Sequence, residues 1–233
     1  MIPWLGHELV FPPVRSALAE PDGLLAAGGD LSPARLLLGY SQGIFPWFSE
    51  GEPILWWSPS QRMVLFPPQL RVSRSLDKTL RNRHYRVTLD TAFRQVMEAC
   101  AAPRAGAAGT WIIQPMVEAY CHLHQIGAAH SFEVWMEGEL VGGLYGVALG
   151  RMFYGESMFS RRTDASKIAF VHMARHLQAQ GVDMIDCQMH TPHLASLGAT
   201  LIPRADFIAT LKNKTLEPQA DSMWNYCFDH EPS

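Results

Sequence analysis

Glu156, Asp186 and Gln188 put two carboxylates and a primary amide near strongly apolar sequence, in Tyr154-Gly155-Glu156-Ser157-Met158-Phe159-Ser160 and Ile185-Asp186-Cys187-Gln188. Two carboxylates first suggest an acid/base set, and the amide adds a neutral group able to donate and accept. Residues at i and i+2 of a strand share a face, so Asp186 and Gln188 are expected to project together while Ile185 and Cys187 turn away. Glu156 follows the strand-like run Met152-Phe153-Tyr154 and precedes Ser and Arg residues, where a strand end opens a pocket. The ordinary alternatives are a strand-end glutamate, an aspartate cap and a surface amide. Cys187, His190 and His193 have metal-like spacing, but no fourth ligand is evident nearby, and a loop of hydrogen-bonding histidines is preferred over zinc. Alternation also turns Cys187 from Asp186 towards the core, which argues against a cysteine nucleophile.

The elements that must position these residues follow from periodicity. Residues 1 to 61 are rich in Pro, Gly and Trp. A short helix is predicted at Ser32–Leu38, capped by Ser32, with Pro33 in the first helical position and Gly43 ending it. Ile44–Phe48 and Ile54–Pro59 are aromatic and broken by proline, which predicts loops or edge strands. After Pro67-Pro68 a basic stripe begins: Arg71, Arg74, Lys78, Arg81, Arg83 and Arg86 are interrupted by only one acid, Asp77. Ser73–Arg81 reads as a helix, Tyr85–Leu89 as a strand, and two amphipathic helices follow through Phe93 and Tyr120. From Ser131 a three-stranded meander is predicted, with turns at Glu137-Gly138 and Gly150-Arg151. Gly142, Gly143 and Gly146 in its central strand suggest a bulge or a ligand lying against the backbone. A helix from about Ala165 to Gln180, the strand Met184–Gln188 and a last helix from Ala205 complete the order.

Bulk properties narrow the function. The 233 residues are 48% hydrophobic, ample for a buried core, and a net charge of -3 supplies no global field for nucleic acid. Any such contact must come from a local patch. Four separated cysteines without a C-x-x-C pair suit reduced thiols in the cytoplasm. No stretch is apolar enough to span a membrane, and the N-terminus lacks the pattern of a signal peptide.

The exact words go further. Gly28-Gly29-Asp30-Leu31-Ser32-Pro33, Gly43-Ile44-Phe45-Pro46-Trp47-Phe48, Leu55-Trp56-Trp57-Ser58-Pro59, Glu133-Val134-Trp135, Gly155–Ser160, Ala165-Ser166-Lys167 and Ala195-Ser196-Leu197-Gly198-Ala199 resemble the bacterial leucyl/phenylalanyl-tRNA–protein transferase family. The resemblance runs from about Phe11 to Phe207. It implies transfer of Leu, and less efficiently Phe or Met, from aminoacyl-tRNA to the N-terminal Arg or Lys of a protein or peptide. The product would be marked for N-degron proteolysis by a cytoplasmic monomer that needs no ATP, metal or other cofactor. The implied fold is α+β: a small N-terminal α/β lobe over 1–61 plus an acyl-CoA N-acetyltransferase-like catalytic domain over 62–233, a mixed sheet flanked by helices.

For individual residues the resemblance implies a catalytic set of Asp186, Gln188 and Glu156. Asp186 would orient and polarise Gln188, whose amide oxygen accepts a hydrogen bond from the attacking amine, and Glu156 would face the aminoacyl end. An amide is too weak a base to keep the proton, which would pass to Asp186, to water or through the terminal ribose. Leu144, Phe153, Met173, Leu177 and Ile185 align with the pocket for the apolar side chain. Relatives often carry aromatic residues at 173 and 177 and Met at 144, a departure that would alter the Leu-to-Phe ratio. Trp47, Trp111 and Tyr120 would frame the terminal adenosine, and the six basic residues from Arg71 to Arg86 would contact tRNA phosphates. An acetyl-CoA-dependent N-acetyltransferase is the competing enzyme, but Ser160–Ser166 has no glycine for a pyrophosphate loop. A non-catalytic RNA-binding module would leave Glu156, Asp186 and Gln188 unexplained.

Overall fold

The computed structural model describes residues 2–102, 112–216 and 221–231. The chain begins with β1 (Trp4–Leu5), β2 (Leu24–Gly28), α1 (Pro33–Ser41), β3 (Phe45–Pro46) and β4 (Leu55–Trp57), whose strands form a sheet in the order β1-β2-β4-β3. Ser32 caps α1 as expected, its hydroxyl accepting the Arg35 N–H at 3.4 Å. One expectation fails here. Leu55–Trp57 is an inner strand rather than a loop or edge, because Pro59 lies beyond the ladder and wholly buried Trp56 donates its indole N–H to the Gly28 carbonyl at 2.9 Å.

β5 (Gln61–Leu65) starts a second sheet. It is followed by α2 (Arg74–Asn82), β6 (Tyr85–Leu89), α3 (Phe93–Ala101) and α4 (Gln114–Gln125), and then by the meander β7 (Ala129–Met136), β8 (Glu139–Leu149) and β9 (Met152–Ser160). α5 (Ala165–Ala179) crosses over to β10 (Met184–Gln188), and α6 (Pro192–Ser196), β11 (Thr200–Pro203), α7 (Arg204–Lys214) and β12 (Cys227–His230) follow. The eight strands lie in the order β11-β5-β10-β9-β8-β7-β6-β12. β10 runs parallel to β9 and antiparallel to β5, so the sheet is mixed. Both meander turns fall where glycine permits a positive φ: Glu137-Gly138 at 54° and 79°, and Gly150 at 60°. β9 continues six residues past the expected Tyr154, and β12 had no clear signal in the sequence.

Alternation along β8 splits the core in two. Leu144 and Ala148 join the cluster under α5, while Tyr145 and Val147 face α3, α4 and the small sheet. The β8 glycines serve these layers. A Cβ on Gly142 would lie 2.5 Å from the Ala165 Cβ at the start of α5, and one on Gly146 would lie 2.3 Å from the Tyr154 carbonyl oxygen. The expected bulge in β8 is at Val141, the extra residue between Gly142↔Val134 and Leu140↔Trp135, whereas the irregularity at Tyr145 and Gly146 adds a residue on β9; protein neighbours rather than a ligand occupy the space above these glycines. Gly142→Val should therefore destabilise the protein by about 1–3 kcal/mol through overpacking. Urea denaturation would measure this as a lowered midpoint at constant slope.

Candidate active site

The large sheet opens where β9 and β10 part. They pair from Met184↔Met152 to Asp186↔Tyr154, and both strands then become irregular. On β9, Tyr145↔Ser157 and Gly146↔Gly155 leave Glu156 as the extra residue, and on β10, Asp186↔Val64 and Gln188↔Met63 leave Cys187 as the extra one. A bulge breaks the two-residue side-chain alternation. Asp186 and Gln188 therefore do not share a face as the sequence predicted.

Asp186 points into a fully buried ion pair. Arg62 of β5 donates from Nε to Oδ1 at 2.8 Å and from Nη2 to Oδ2 at 2.6 Å, and its Nη1 donates to the Gly43 carbonyl at 3.2 Å. The guanidinium lies between the Phe45 and Phe207 rings, 4.6 and 4.7 Å from their centroids. Asp186 touches Gln188 through the backbone, accepting its N–H at 2.8 Å on Oδ1. That bond holds Gln188 at φ 59°, a left-handed conformation that costs a residue other than glycine on the order of 1 kcal/mol.

The Gln188 side chain turns to Glu156 instead, Nε2 donating to Oε1 at 2.8 Å. Asp186 thus does not polarise the amide directly, and among the described residues the amide oxygen has no hydrogen-bond donor. Glu156 receives two further donors, Tyr40 Oη to Oε1 at 2.8 Å and Tyr120 Oη to Oε2 at 3.1 Å, and the two phenols share a very short hydrogen bond. Desolvation by burial pushes the Glu156 carboxyl up to about 7, opposed by the tyrosine hydrogen bonds; nearby Asp186 raises it further and Arg62 lowers it. Asp186, one of the three expected destinations for the proton, is therefore paired with Arg62, and the group poised at neutral pH is Glu156.

A cavity of about 570 Å³ occupies the opening. Leu144, Met173 and Ile185 line it, together with Phe170 and Met158, which sequence reasoning missed. Phe153 and Leu177 do not line it. They are wholly buried in the core beneath α5, where Phe153 faces Trp224 at 6.4 Å, because the cavity follows the end of β9 beyond Tyr154 and not its start. Phe170 lies one helical turn before Met173, a spacing that could have found it. Cys187 is part of the cavity wall rather than the core, since the bulge reverses its expected direction. Burial and the adjacent Asp186 raise its thiol well above the usual range and keep it protonated.

Trp47 stands at the cavity mouth, 44% exposed, with its ring edge-on to Trp57. Tyr120 is wholly buried, its hydroxyl committed to Tyr40 and Glu156 and its ring against Tyr145, so it offers no face to an adenine as had been expected. Trp111 lies outside the described residues. Arg71, Arg74, Lys78, Arg81, Arg83 and Arg86 are all exposed, on α2 and its flanks; Arg81 pairs with Asp77 at 2.6 Å and Arg83 donates to the Thr163 carbonyl at 3.1 Å. Among the described residues no three His, Cys, Asp or Glu side chains are grouped to hold a metal, so Cys187, His190 and His193 do not form a zinc site. His193 instead joins the cavity wall, where burial lowers its imidazole pKa, with Lys167 adding to the effect. Arg62 and Tyr40 gave no sequence signal of function, because one reads as a strand charge and the other as a helix core residue.

Residues 64–212 match the family model described as leucyl/phenylalanyl-tRNA protein transferase, and residues 29–60 match the model of that protein's N-terminal domain. Three relatives carry the name leucyl/phenylalanyl-tRNA–protein transferase. That of Chromobacterium violaceum is 71% identical over 233 residues, the whole of both chains, and that of Nitrosospira multiformis 61% identical over 231 residues, 99% of each. That of Nitrosomonas eutropha is 60% identical over 228 residues, 98% of this chain and 97% of its own. The mixed sheet flanked by helices, with its polar and apolar cavity, is thus the scaffold of an aminoacyltransferase. The chain belongs to the leucyl/phenylalanyl-tRNA–protein transferase family.

The ion pair beneath this site makes a stability prediction. Arg62→Met strands a buried carboxylate and should cost about 3–5 kcal/mol. Denaturant titration beside wild type would test it, and a loss within error would mean that the pair is not buried as described.

Proposed function

We propose that the protein transfers leucine, and less efficiently phenylalanine or methionine, from aminoacyl-tRNA to the N-terminal Arg or Lys of acceptor proteins, committing them to N-degron proteolysis. The observation that carries this reading is the continuity of one cavity: Leu144, Phe170, Met173 and Ile185 wall an apolar compartment that runs directly to Glu156 and Gln188. An apolar side chain such as that of leucine fills such a compartment, and a polar one loses its hydration without replacement. The reaction needs little more than placement. Aminolysis of an ester to an amide is downhill, so the site has to hold a neutral amine against the carbonyl carbon and move one proton.

The Gln188 amide oxygen is available to accept a hydrogen bond from the attacking amine while its nitrogen is anchored on Glu156. Trp47, exposed at the mouth, would meet the terminal adenosine, and the exposed cations from Arg71 to Arg86 would meet phosphates. We divide the chain into a small lobe over 1–61 and a catalytic domain over 62–233. The N-acetyltransferase-like reading of the latter is supported by its antiparallel β7-β8-β9 meander, the α5 crossover and the parallel β9–β10 pair. Four cysteines without a disulfide suit a cytoplasmic protein. We take the acting form to be a monomer.

Transfer of labelled leucine from charged tRNA to a peptide beginning with Arg tests the assignment, run beside an acetyl-CoA reaction on the same peptide. Leucine incorporation without acetylation is expected, and acetylation without leucine incorporation would overturn it. Reversing Arg71, Arg74 and Lys78 to Glu should raise KM for leucyl-tRNA and flatten the slope of log affinity against log salt by about 2–3 units. An unchanged slope would remove this face from the RNA interface.

A further inference from the structure

Resting on that reading, we propose that Glu156 is the group that takes the amine proton during peptide-bond formation and returns it to the leaving ribose oxygen, and that Tyr40 is the positioning residue that sets it for this task. The acceptor amine reaches the site neutral. Its nitrogen forms the C–N bond to the ester carbonyl carbon, the C–O bond to the terminal ribose breaks, and one N–H proton is surplus to the amide. Glu156 receives that proton as a carboxylate and delivers it to the departing oxygen, which becomes a hydroxyl. The residue ends the cycle in its starting state, and no other reactant is consumed.

Geometry selects Glu156 over its neighbours. Asp186 is wholly buried and does not line the cavity, and both its oxygens are held by Arg62, so a proton there would neutralise the partner of a buried guanidinium. Glu156 lies in the cavity wall beside Gln188, the residue whose amide oxygen is left for the amine. Oε1 already accepts from Tyr40 and Gln188, whereas among the described residues Oε2 accepts only from Tyr120, which leaves one acceptor position on Oε2.

The charged and titratable groups around it come from five elements. Tyr40 on α1 and Tyr120 on α4 donate to the carboxylate, and Tyr145 on β8, whose buried hydroxyl has no hydrogen-bond partner among the described residues, lies in the same cavity wall. Asp186 on β10 opposes the carboxylate charge and Arg62 on β5 favours it. Burial holds the carboxyl at about 7, so it can exchange a proton at neutral pH, and the phenols keep it from rising further. The Tyr154 hydroxyl donates to the Tyr40 carbonyl at 2.9 Å and fixes the end of α1 from which this phenol reaches the site.

The test is the pH dependence of kcat/KM for an Arg-initiated peptide with leucyl-tRNA. Wild type should rise with pH through about 7, with a second rise near 8 from the peptide amine. Tyr40→Phe removes a donor to the carboxylate, which should move the first rise upwards by about 0.7 pH unit, one ordinary hydrogen bond, and leave the amine step in place. Glu156→Gln should abolish the first rise and lower the plateau by about 100-fold. Tyr120→Phe, which keeps the fold-setting ring, should shift the first rise in the same direction as Tyr40→Phe. A Tyr40→Phe profile superimposable on wild type, or a Glu156→Gln profile that keeps both steps, overturns the proposal while leaving the transfer activity standing. A wild-type protein unable to transfer leucine overturns both.

Discussion

The buried pair between Arg62 and Asp186 is the interaction on which the site depends. It ties β5 to β10 at the residue where β10 stops pairing with β9, and Asp186 Oδ1, while accepting from Arg62 Nε, also holds the Gln188 N–H in a left-handed turn. Without that turn the amide would follow strand alternation and leave the cavity. The same guanidinium donates to Gly43 and lies against Phe45, which fixes the edge of the small sheet beside the opening. α1 ends just before Gly43, so the place from which Tyr40 reaches Glu156 is coupled to the arginine as well. Desolvating two ions is expensive and their attraction offsets it only with good geometry. Here three guanidinium hydrogen bonds and two aromatic faces supply that geometry.

Two carboxylates a few residues from the same strand gap therefore have different surroundings and different work. Asp186 meets a cation and becomes part of the frame. Among the described residues Glu156 meets only neutral donors, two phenols and an amide, which stabilise its charge less than a cation would and leave it near 7. The amide serves both: its backbone rests on one carboxylate and its side chain on the other. A reaction whose electrophile arrives activated needs a well-placed amine and a small proton relay more than it needs a strong base.

Much of the scaffold was legible in the residues. Ser32-Pro33 fixed the start of α1, the Glu137-Gly138 and Gly150 turns fixed the meander, and the apolar spacing from Phe170 to Leu177 fixed α5. Asp186, Gln188 and Glu156 were found by type and family words, but their partners were not. Alternation assumes an unbroken ladder, and bulges at Glu156 and Cys187 are set by pairing with other strands, which local sequence does not encode. Arg62 and Tyr40 lie 124 and 116 residues from their carboxylates, beyond any local pattern. Phe153 and Leu177 share the apolar chemistry of Leu144 and Met173, and only depth separates core from cavity wall.

A proton relay at Glu156 requires that enclosure has moved its carboxyl to neutral pH. Carbon-13 NMR of protein labelled at the glutamate side-chain carboxyls, with the Glu156 resonance identified by its loss in Glu156→Gln, follows that titration directly and without turnover. A midpoint near 7 is the result this arrangement predicts. A midpoint at the ordinary glutamate value of about 4.3 would contradict it, and would mean that the phenols and solvent stabilise the charge as well as bulk water does.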